Sequence, residues 1–299
     1  MKIATIITSH NRKDKTIASL NALYKAIDCY NKLYDEKIEN ILFLTDDGCT
    51  DGTKDSIISK FSTDRNIVIL NGDGNLYWAG GMRMAWRAAI NCGQNFDFYL
   101  LLNDDTVVFD NVFLQLMELH NYAMNNYNNG GVYSGICCSS DGTKTTYGGE
   151  LWTNKFLANS RLVDPIGKPQ MCDMANANIL LIAKTVVDNM GIFYKGYRHA
   201  LADFDYTIKA RKRYPVLLTS AYCGFCDNDH ESINILAKKV ISMSLKERIK
   251  YYKHPLHSNK DYLKFVVRNA PLRLPFVIVG RLLNVYLPSL YYIRHKYGL

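Results

Sequence analysis

An α/β fold built on a largely parallel sheet follows from three features of this sequence. Short apolar runs alternate with stretches of helical periodicity, the pattern of strand–helix–strand units. Polar loops rich in Asp, Asn and Gly stand just after the apolar runs of the first 110 residues. One run, Phe98–Leu102, is apolar throughout and ends in two adjacent carboxylates, Asp104 and Asp105, as a buried strand reaching a functional sheet edge would.

Taken in order, Ile3–Thr8 reads as a short buried strand, and Ile17, Leu20, Leu23, Tyr24 and Ile27 recur at helical spacing after it. Ile41–Thr45 and Asn66–Leu70 are the next two strands, ending at Asp46-Asp47-Gly48 and at Asn71-Gly72-Asp73-Gly74-Asn75. A helix over Met82–Ile90 precedes the fourth strand, Phe98–Leu102. Between Tyr127 and Pro169 the chain turns rich in Gly, Asn and Thr, so loops and short antiparallel pieces such as Gly131–Gly135 are expected. Asn178–Ala183 reads as a strand, Asp203–Arg213 as a helix and Val216–Tyr222 as a last strand. The composition changes near Ser232, which divides the chain into an α/β body, 1–232, and a basic helical segment, 233–299.

A chain of 299 residues with 48% hydrophobic and 21% charged side chains has ample core and is not disordered. Its start, Met1-Lys2-Ile3-Ala4-Thr5-Ile6-Ile7, is too short for a signal-peptide core, so a cytoplasmic location is expected. Eight cysteines scattered along such a length suit reduced thiols, and Cys223-Gly-Phe-Cys226 lacks the second pair of a zinc site.

The net charge of +8 is unevenly spread. Residues 238–299 hold 13 Lys or Arg against Glu247 and Asp261, a balance of +11, which leaves −3 for the rest. An anionic membrane surface, rather than nucleic acid, is the partner expected for this tail. Pro271–Ile293 is about long enough to span a bilayer, yet it contains Arg273, Arg281, Asn284 and three prolines. Central charges cost roughly 2.5–3.5 kcal/mol each in hydrocarbon, so a segment lying in the interface fits better than a span. A helical appendage packed on the body is the alternative.

Loops after parallel strands converge on one rim, which makes a composite site of Thr8-Ser9-His10-Asn11-Arg12, Asp46 to Thr53, Asn71 to Gly81 and Asn103 to Thr106. Each segment alone is weak, because Asp-Asp-Gly is an ordinary turn and glycines relieve crowding. Adjacent carboxylates at a strand end call for a compensating cation, most simply a divalent metal with oxygen ligands; a solvated turn is the plainer alternative.

In their order, Thr-x-x-Asn-Arg, Asp-Asp-Gly-x-Thr-Asp-Gly-Thr, Gly-Asn-Leu-Tyr-Trp-Ala-Gly-Gly-Met and Leu-Asn-Asp-Asp-Thr resemble family 2 glycosyltransferases of the GT-A fold. The similarity is strongest to the bacterial rhamnosyltransferase-like enzymes of polysaccharide, O-antigen and capsule synthesis, and covers residues 1–232. It implies a nucleotide-sugar site made by Thr8, Asn11, Arg12, Asp47, Asn71, Gly74, Asn75, Trp78, Gly81, Asn103 and Asp104. Asp47 would accept from the base N–H, and Asp105 would bind a divalent cation, Mg2+ or Mn2+, at the second acidic position of the Asp-x-Asp motif. Asn103 replaces the first acid of that motif, as in the rhamnosyltransferase-like group, which argues against a tightly held permanent metal. Ala202-Asp203-Phe204-Asp205 followed by Arg211 resembles the Glu-Asp-x-Asp helix start and implies Asp203 as the catalytic base. A plain helix-start acid is the alternative for Asp203. His230-Glu231-Ser232 resembles a later metal-site histidine, against the alternative of a loop histidine.

The activity so implied is an inverting transfer of one sugar from a dTDP- or UDP-linked donor, rhamnose-type favoured, to a lipid-linked bacterial glycan at the inner face of the plasma membrane. Absence of Gln-x-x-Arg-Trp favours single addition over processive synthesis. Arg268-Asn269 also resembles C-terminal segments of rhamnosyl- and galactofuranosyl-type members. A homo-oligomer is compatible with all of this. The competing classes are a sugar nucleotidyltransferase, which would want a Gly-rich loop where Thr8–Arg12 has none, and a non-catalytic scaffold, against which Asp104, Asp105 and Asp203 stand.

Overall fold

The computed structural model describes residues 1–227, 233–254, 256–257, 260–290 and 292. The body opens with three strand–helix repeats and a fourth strand: β1 (Lys2–Ser9), α1 (Lys13–Leu33), β2 (Glu39–Asp46), α2 (Thr53–Phe61), β3 (Asn66–Asn71), α3 (Tyr77–Asn91) and β4 (Phe98–Leu102). β5 (Val107–Val108), α4 (Val112–Tyr127) and β6 (Val132–Cys138) follow. The Gly- and Asn-rich stretch contributes short strands β7 (Thr145–Tyr147), β8 (Gly149–Asn154), β9 (Asn159–Leu162), β10 (Gln170–Met171) and β11 (Met174–Ala175). Then come β12 (Ile179–Ala183), α5 (Lys184–Met190), α6 (Ala202–Ala210) and β13 (Val216–Phe225). The C-terminal segment is helical: α7 (Ile233–Ser242), α8 (Leu245–Lys253), α9 (Lys260–Asn269) and α10 (Leu274–Tyr286).

The main sheet runs β10-β13-β6-β12-β4-β1-β2-β3, with β5 on β13 and β7 on β6. β1 to β4 are mutually parallel, β13 is parallel to β6, and β12 is inserted antiparallel between β4 and β6. β4, β6 and β12 are buried along their whole length, because helices cover both faces of the centre. That burial is why their sequences are apolar without alternation. β3 lies at the edge and mixes exposed with half-buried residues. The antiparallel insertion has a consequence for the site: the start of β12, at Ile179, pairs with the end of β4, at Leu102. The residues just before β12 therefore sit beside Asn103.

Every strand read from the sequence is present, and the mostly parallel sheet flanked by helices is the fold expected. α3 begins at Tyr77, five residues earlier than the apolar period suggests, because Gly80 and Gly81 carry no apolar signal although both are buried. Gly81 lies so close to β1 that a β-carbon there would come within 2.0 Å of Thr8 Oγ1. α2 and α4 were not read from the sequence. α7 and α8 are separate helices: the chain breaks at Met243, and Ser244 caps α8 by accepting from the Glu247 N–H while Glu247 accepts from the Ser244 N–H.

α9 packs on the body, so this part of the tail is an appendage docked through side chains rather than a free amphipathic helix. Phe265 and Val266 are buried, and Arg268 and Asn269 both reach Asp205 of α6. α10 differs: Phe276, Val279, Leu282 and Tyr286 remain exposed. No helix among the described residues is long and apolar enough to cross a membrane. The eight cysteines are free thiols, and Cys223 and Cys226 are buried.

Candidate active site

The strand-end loops meet at the carboxyl edge of β1 to β4. Arg12, the residue before α1, bridges both carboxylates that follow β4: Nη1 donates to Asp104 Oδ1 at 3.2 Å and Nη2 to Asp105 Oδ2 at 2.6 Å. Adjacent acids thus obtain their compensating cation from the chain itself. Burial raises the carboxyl of Asp104 to about 6, with Arg12 opposing the rise and Asp105 adding to it. Burial works against the charge of Arg12, and the two acids more than offset it. Asp105 also receives the Cys226 thiol at 3.6 Å on Oδ1. Burial and then the Asp105 charge push that thiol up to about 12, so it remains protonated and donates. Asn103 accepts from the Trp78 indole N–H at 2.8 Å, joining the start of α3 to the end of β4.

Asp47 organises the loop after β3. Its Oδ1 accepts from the N–H of Gly74 at 2.9 Å and of Leu76 at 3.3 Å, and its Oδ2 accepts from Tyr77 N–H at 3.0 Å. A nucleobase donor would have to share these oxygens. Gly74 has φ of +80°, and a β-carbon on Gly48 would meet the Gly74 backbone at 2.9 Å, so two loops touch through backbone. Tyr77 adopts φ of +55°, an uncommon state for a bulky residue, and is pinned there by Asp47 and by the Arg198 guanidinium 4.7 Å from its ring.

The other sequence-derived residues take these places. Thr8 lies buried beneath Gly81 and hydrogen-bonds to the Thr45 carbonyl at 3.4 Å. Asn11 accepts from Thr50 N–H at 2.7 Å and so ties the first loop to the second. Asn71 accepts from Lys54 Nζ at 2.8 Å. Asn75 is braced on Asp73, and its carbonyl accepts from Arg198 Nη2 at 3.4 Å. His230 lies outside the described residues.

Asp203 sits in the first turn of α6 and is buried. Oδ2 accepts from Ala177 N–H at 3.1 Å, and Oδ1 accepts from its neighbour Phe204 N–H at 2.9 Å. Burial raises its carboxyl to about 6, and these N–H donors limit the rise. No cation pairs with it among the described residues, in contrast to Asp104. The next residue after Ala177, Asn178, gives its carbonyl to Asn103 N–H at 3.2 Å. One dipeptide therefore spans from Asp203 to the Asn103-Asp104-Asp105 turn.

Several contacts of the site have no signal in the sequence, although some of the residues that make them do. Asp205 is buried and receives Arg268 Nε at 2.9 Å, Arg268 Nη2 at 3.0 Å, Asn269 Nδ2 at 2.8 Å and Lys209 Nζ at 2.6 Å. Asp261 of α9 accepts from the N–H groups of Arg198, His199 and Ala200, the turn leading to Leu201, whose φ is +65°. Cys226 reads as structural in a lone CxxC, and only the fold brings it to Asp105.

A divalent cation fits the oxygen set at the end of β4 in one respect: Asp105 is the less buried of the two acids, and a cation there would share it with Arg12, which pairs with both. Among the described residues no group of three or more His, Cys, Asp or Glu could hold a metal alone. Mg2+-type sites commonly use one or two carboxylates plus phosphate oxygens of the ligand, so Asp105 would need a diphosphate to complete the sphere.

Known structures share this architecture at low sequence identity. The Staphylococcus aureus TarS fragment 1–349 in complex with UDP matches with a TM-score of 0.56 and 12% identity, covering 100% of this chain and 92% of that one. The same fragment with UDP-GlcNAc gives 0.51 and 13%, over 88% and 73%. The mannosyltransferase PcManGT of Pyrobaculum calidifontis, solved with GDP-Man and Mn2+, gives 0.53 and 11%, over 97% and 82%. No family model matches the sequence, and no curated protein matches it. The chain has the GT-A glycosyltransferase fold.

Proposed function

We propose that this protein is an inverting glycosyltransferase that moves one sugar from a nucleotide-sugar donor to a lipid-linked bacterial glycan. The observation that carries the reading is the coupling of buried Asp203, through Ala177-Asn178, to the Asn103-Asp104-Asp105 turn. One dipeptide then joins a proton acceptor to a diphosphate-binding edge. The solved glycosyltransferases of this fold hold UDP, UDP-GlcNAc or GDP-Man, which supports a nucleoside diphosphate-sugar as the ligand class. Among donors, dTDP- or UDP-linked sugars of rhamnose type are the first to test, because Asn103 stands where the Asp-x-Asp motif has its first acid.

In this mechanism the donor lies across the loops after β1 to β4, its nucleoside held by the Asp47-ordered loop and Trp78. Asp203, with a carboxyl raised to about 6, is ionised at neutral pH yet basic enough to take the acceptor hydroxyl proton. As that proton moves to Asp203, the acceptor oxygen bonds to the anomeric carbon and the sugar–phosphate bond breaks on the opposite face. One displacement inverts the anomeric centre. Arg12 holds Asp104 and Asp105 at the diphosphate edge and offsets part of their charge. Asp105, backed by Asp104, would hold a Mg2+ or Mn2+ ion whose chemistry is charge neutralisation of the leaving nucleoside diphosphate. The basic tail and the apolar face of α10 support a location at the inner surface of the membrane.

Thermal melting with UDP, dTDP and GDP, each with and without Mg2+ or Mn2+, tests the ligand class. A ligand at 100 times its Kd stabilises by about 2.7 kcal/mol, a rise of several degrees. Absence of any shift at millimolar nucleoside diphosphate would overturn the reading. Donor hydrolysis with NMR of the product anomer then identifies the sugar and the stereochemistry.

A further inference from the structure

Beside the donor loop, Met243, α8 and the residues that follow α8 shape a concavity that the transfer chemistry does not use. This cavity, of about 710 Å3, is lined by Lys250, Lys253, His254, His257 and Tyr251. Lys239 stands 5.6 Å from the Tyr251 ring, which stacks on His257 at 4.0 Å. Glu247 is the acid of the lining, and its carboxylate is committed to the Ser244 cap. Neither Lys250 nor Lys253 is ion-paired among the described residues. The lining therefore offers ammonium and imidazole donors with little opposing charge, which suits a phosphate with its several acceptor oxygens.

Two neighbours identify what kind of phosphate. On one side, the His254 ring lies 6.4 Å from the Tyr77 ring, and Tyr77 is the residue whose N–H binds Asp47 in the donor loop. On the other side, α8 is tied to α10 by Arg248 Nε donating to the Val285 carbonyl at 2.7 Å. α10 exposes an apolar face, with Phe276 at 68% of its full accessibility and Leu282 at 53%. A cationic cavity between a donor loop and an apolar helix matches a phosphate headgroup with a hydrocarbon chain.

We propose that this cavity binds the phosphate headgroup of a membrane-anchored substrate, with α10 seated in the lipid surface and the headgroup held by Lys250, Lys253 and His257. The inference rests on the lipid-linked acceptor proposed above and locates its anchor point. A free phosphate or pyrophosphate shares the headgroup's chemistry, and the experiment separates the two sources.

Flotation of the full-length protein is measured with phosphatidylcholine vesicles carrying a polyprenyl phosphate, and with phosphatidylserine vesicles of equal charge. The UDP-dependent melting shift is recorded in parallel. The expected result is preferential binding to the polyprenyl phosphate vesicles. K250A/K253A should weaken it roughly 30-fold, taking about 1 kcal/mol for each lysine, with the UDP shift intact. F276S/L282S should also release the protein from vesicles. Equal binding to phosphatidylserine, a phosphodiester, would overturn recognition of a terminal phosphate and leave only general anionic attraction. Full competition by micromolar inorganic pyrophosphate, with F276S/L282S having no effect, would assign the cavity to a free anion and overturn the lipid source. Loss of the UDP shift in folded K250A/K253A would assign the cavity to the donor instead. The UDP shift of the unaltered protein reports separately on the transferase reading, so the two can fail independently.

Discussion

The loops after β1 to β4 and the start of α6 both present a buried carboxylate to the same rim, and they hold it in opposite ways. In the loops, acids organise nearby backbone and pair with a nearby cation: Asp47 gathers three N–H groups and Arg12 spans Asp104 and Asp105. At α6, the candidate base Asp203 receives backbone N–H groups and no cation. Cations go instead to Asp205, two residues on: Lys209 of the same helix and Arg268 of α9, 63 positions away in the chain. The difference separates two requirements. A diphosphate edge needs positive charge at hand, whereas a general base needs a raised proton affinity, which a cation would abolish. Diverting Arg268 to Asp205 keeps the helix anchored while leaving Asp203 unpaired.

The contrast is broken most strongly by Asp203→Asn. Transfer should fall 10²- to 10⁴-fold with nucleotide binding retained, as measured by steady-state turnover and by melting with UDP. In the unaltered enzyme kcat should rise with pH through about 6 and level off above it, because the base works only when ionised. The stability sign runs the other way. Asp203 keeps its proton in the folded state between about 4 and 6 while the unfolded chain has released it, so its burial lowers stability as pH rises through that window. Retained turnover in the variant, or a flat pH profile, would remove Asp203 from the mechanism.

On the other side of the rim, Asp47→Ala leaves three backbone N–H groups without their acceptor. An unsatisfied buried donor costs about 1–3 kcal/mol, so nucleotide affinity should drop by tenfold or more as the 74–77 turn loosens. Isothermal titration with UDP checks this; unchanged affinity would show that the loop is held by other contacts. The smallest effect is expected from Arg268→Ala, since Lys209 and Asn269 still serve Asp205. A loss of about 2 kcal/mol in chemical denaturation should accompany it, and kcat should fall more than donor KM rises. A variant that changed donor KM alone would contradict the division between the two sides.

Legibility follows the range over which each part is assembled. Asp47, Asn103 and Asp105 were readable because each lies within a few residues of an apolar strand, and strand ends of a parallel sheet share one rim. The start of α3 was misplaced because Gly80 and Gly81 pack tightly against β1 without any apolar side chain to mark them. α2 and α4 are not legible in the sequence, because the burial that makes them helices and their register come from the sheet beneath. Cys226 was set aside because a CxxC says nothing about the strand-end turn it will reach.

By itself, then, the sequence determined the alternation of strands and helices, the rim on which the acids gather, and the uneven charge of the tail. Those properties are local, set by side-chain periodicity and by residues adjacent in the chain. Tertiary structure alone decided that Arg12 neutralises the acids after β4, that an antiparallel β12 carries Ala177-Asn178 between Asn103 and Asp203, and that α9 anchors α6 while α10 keeps its apolar face uncovered. Those contacts join residues tens of positions apart, and their partners become defined only when the sheet order brings them together.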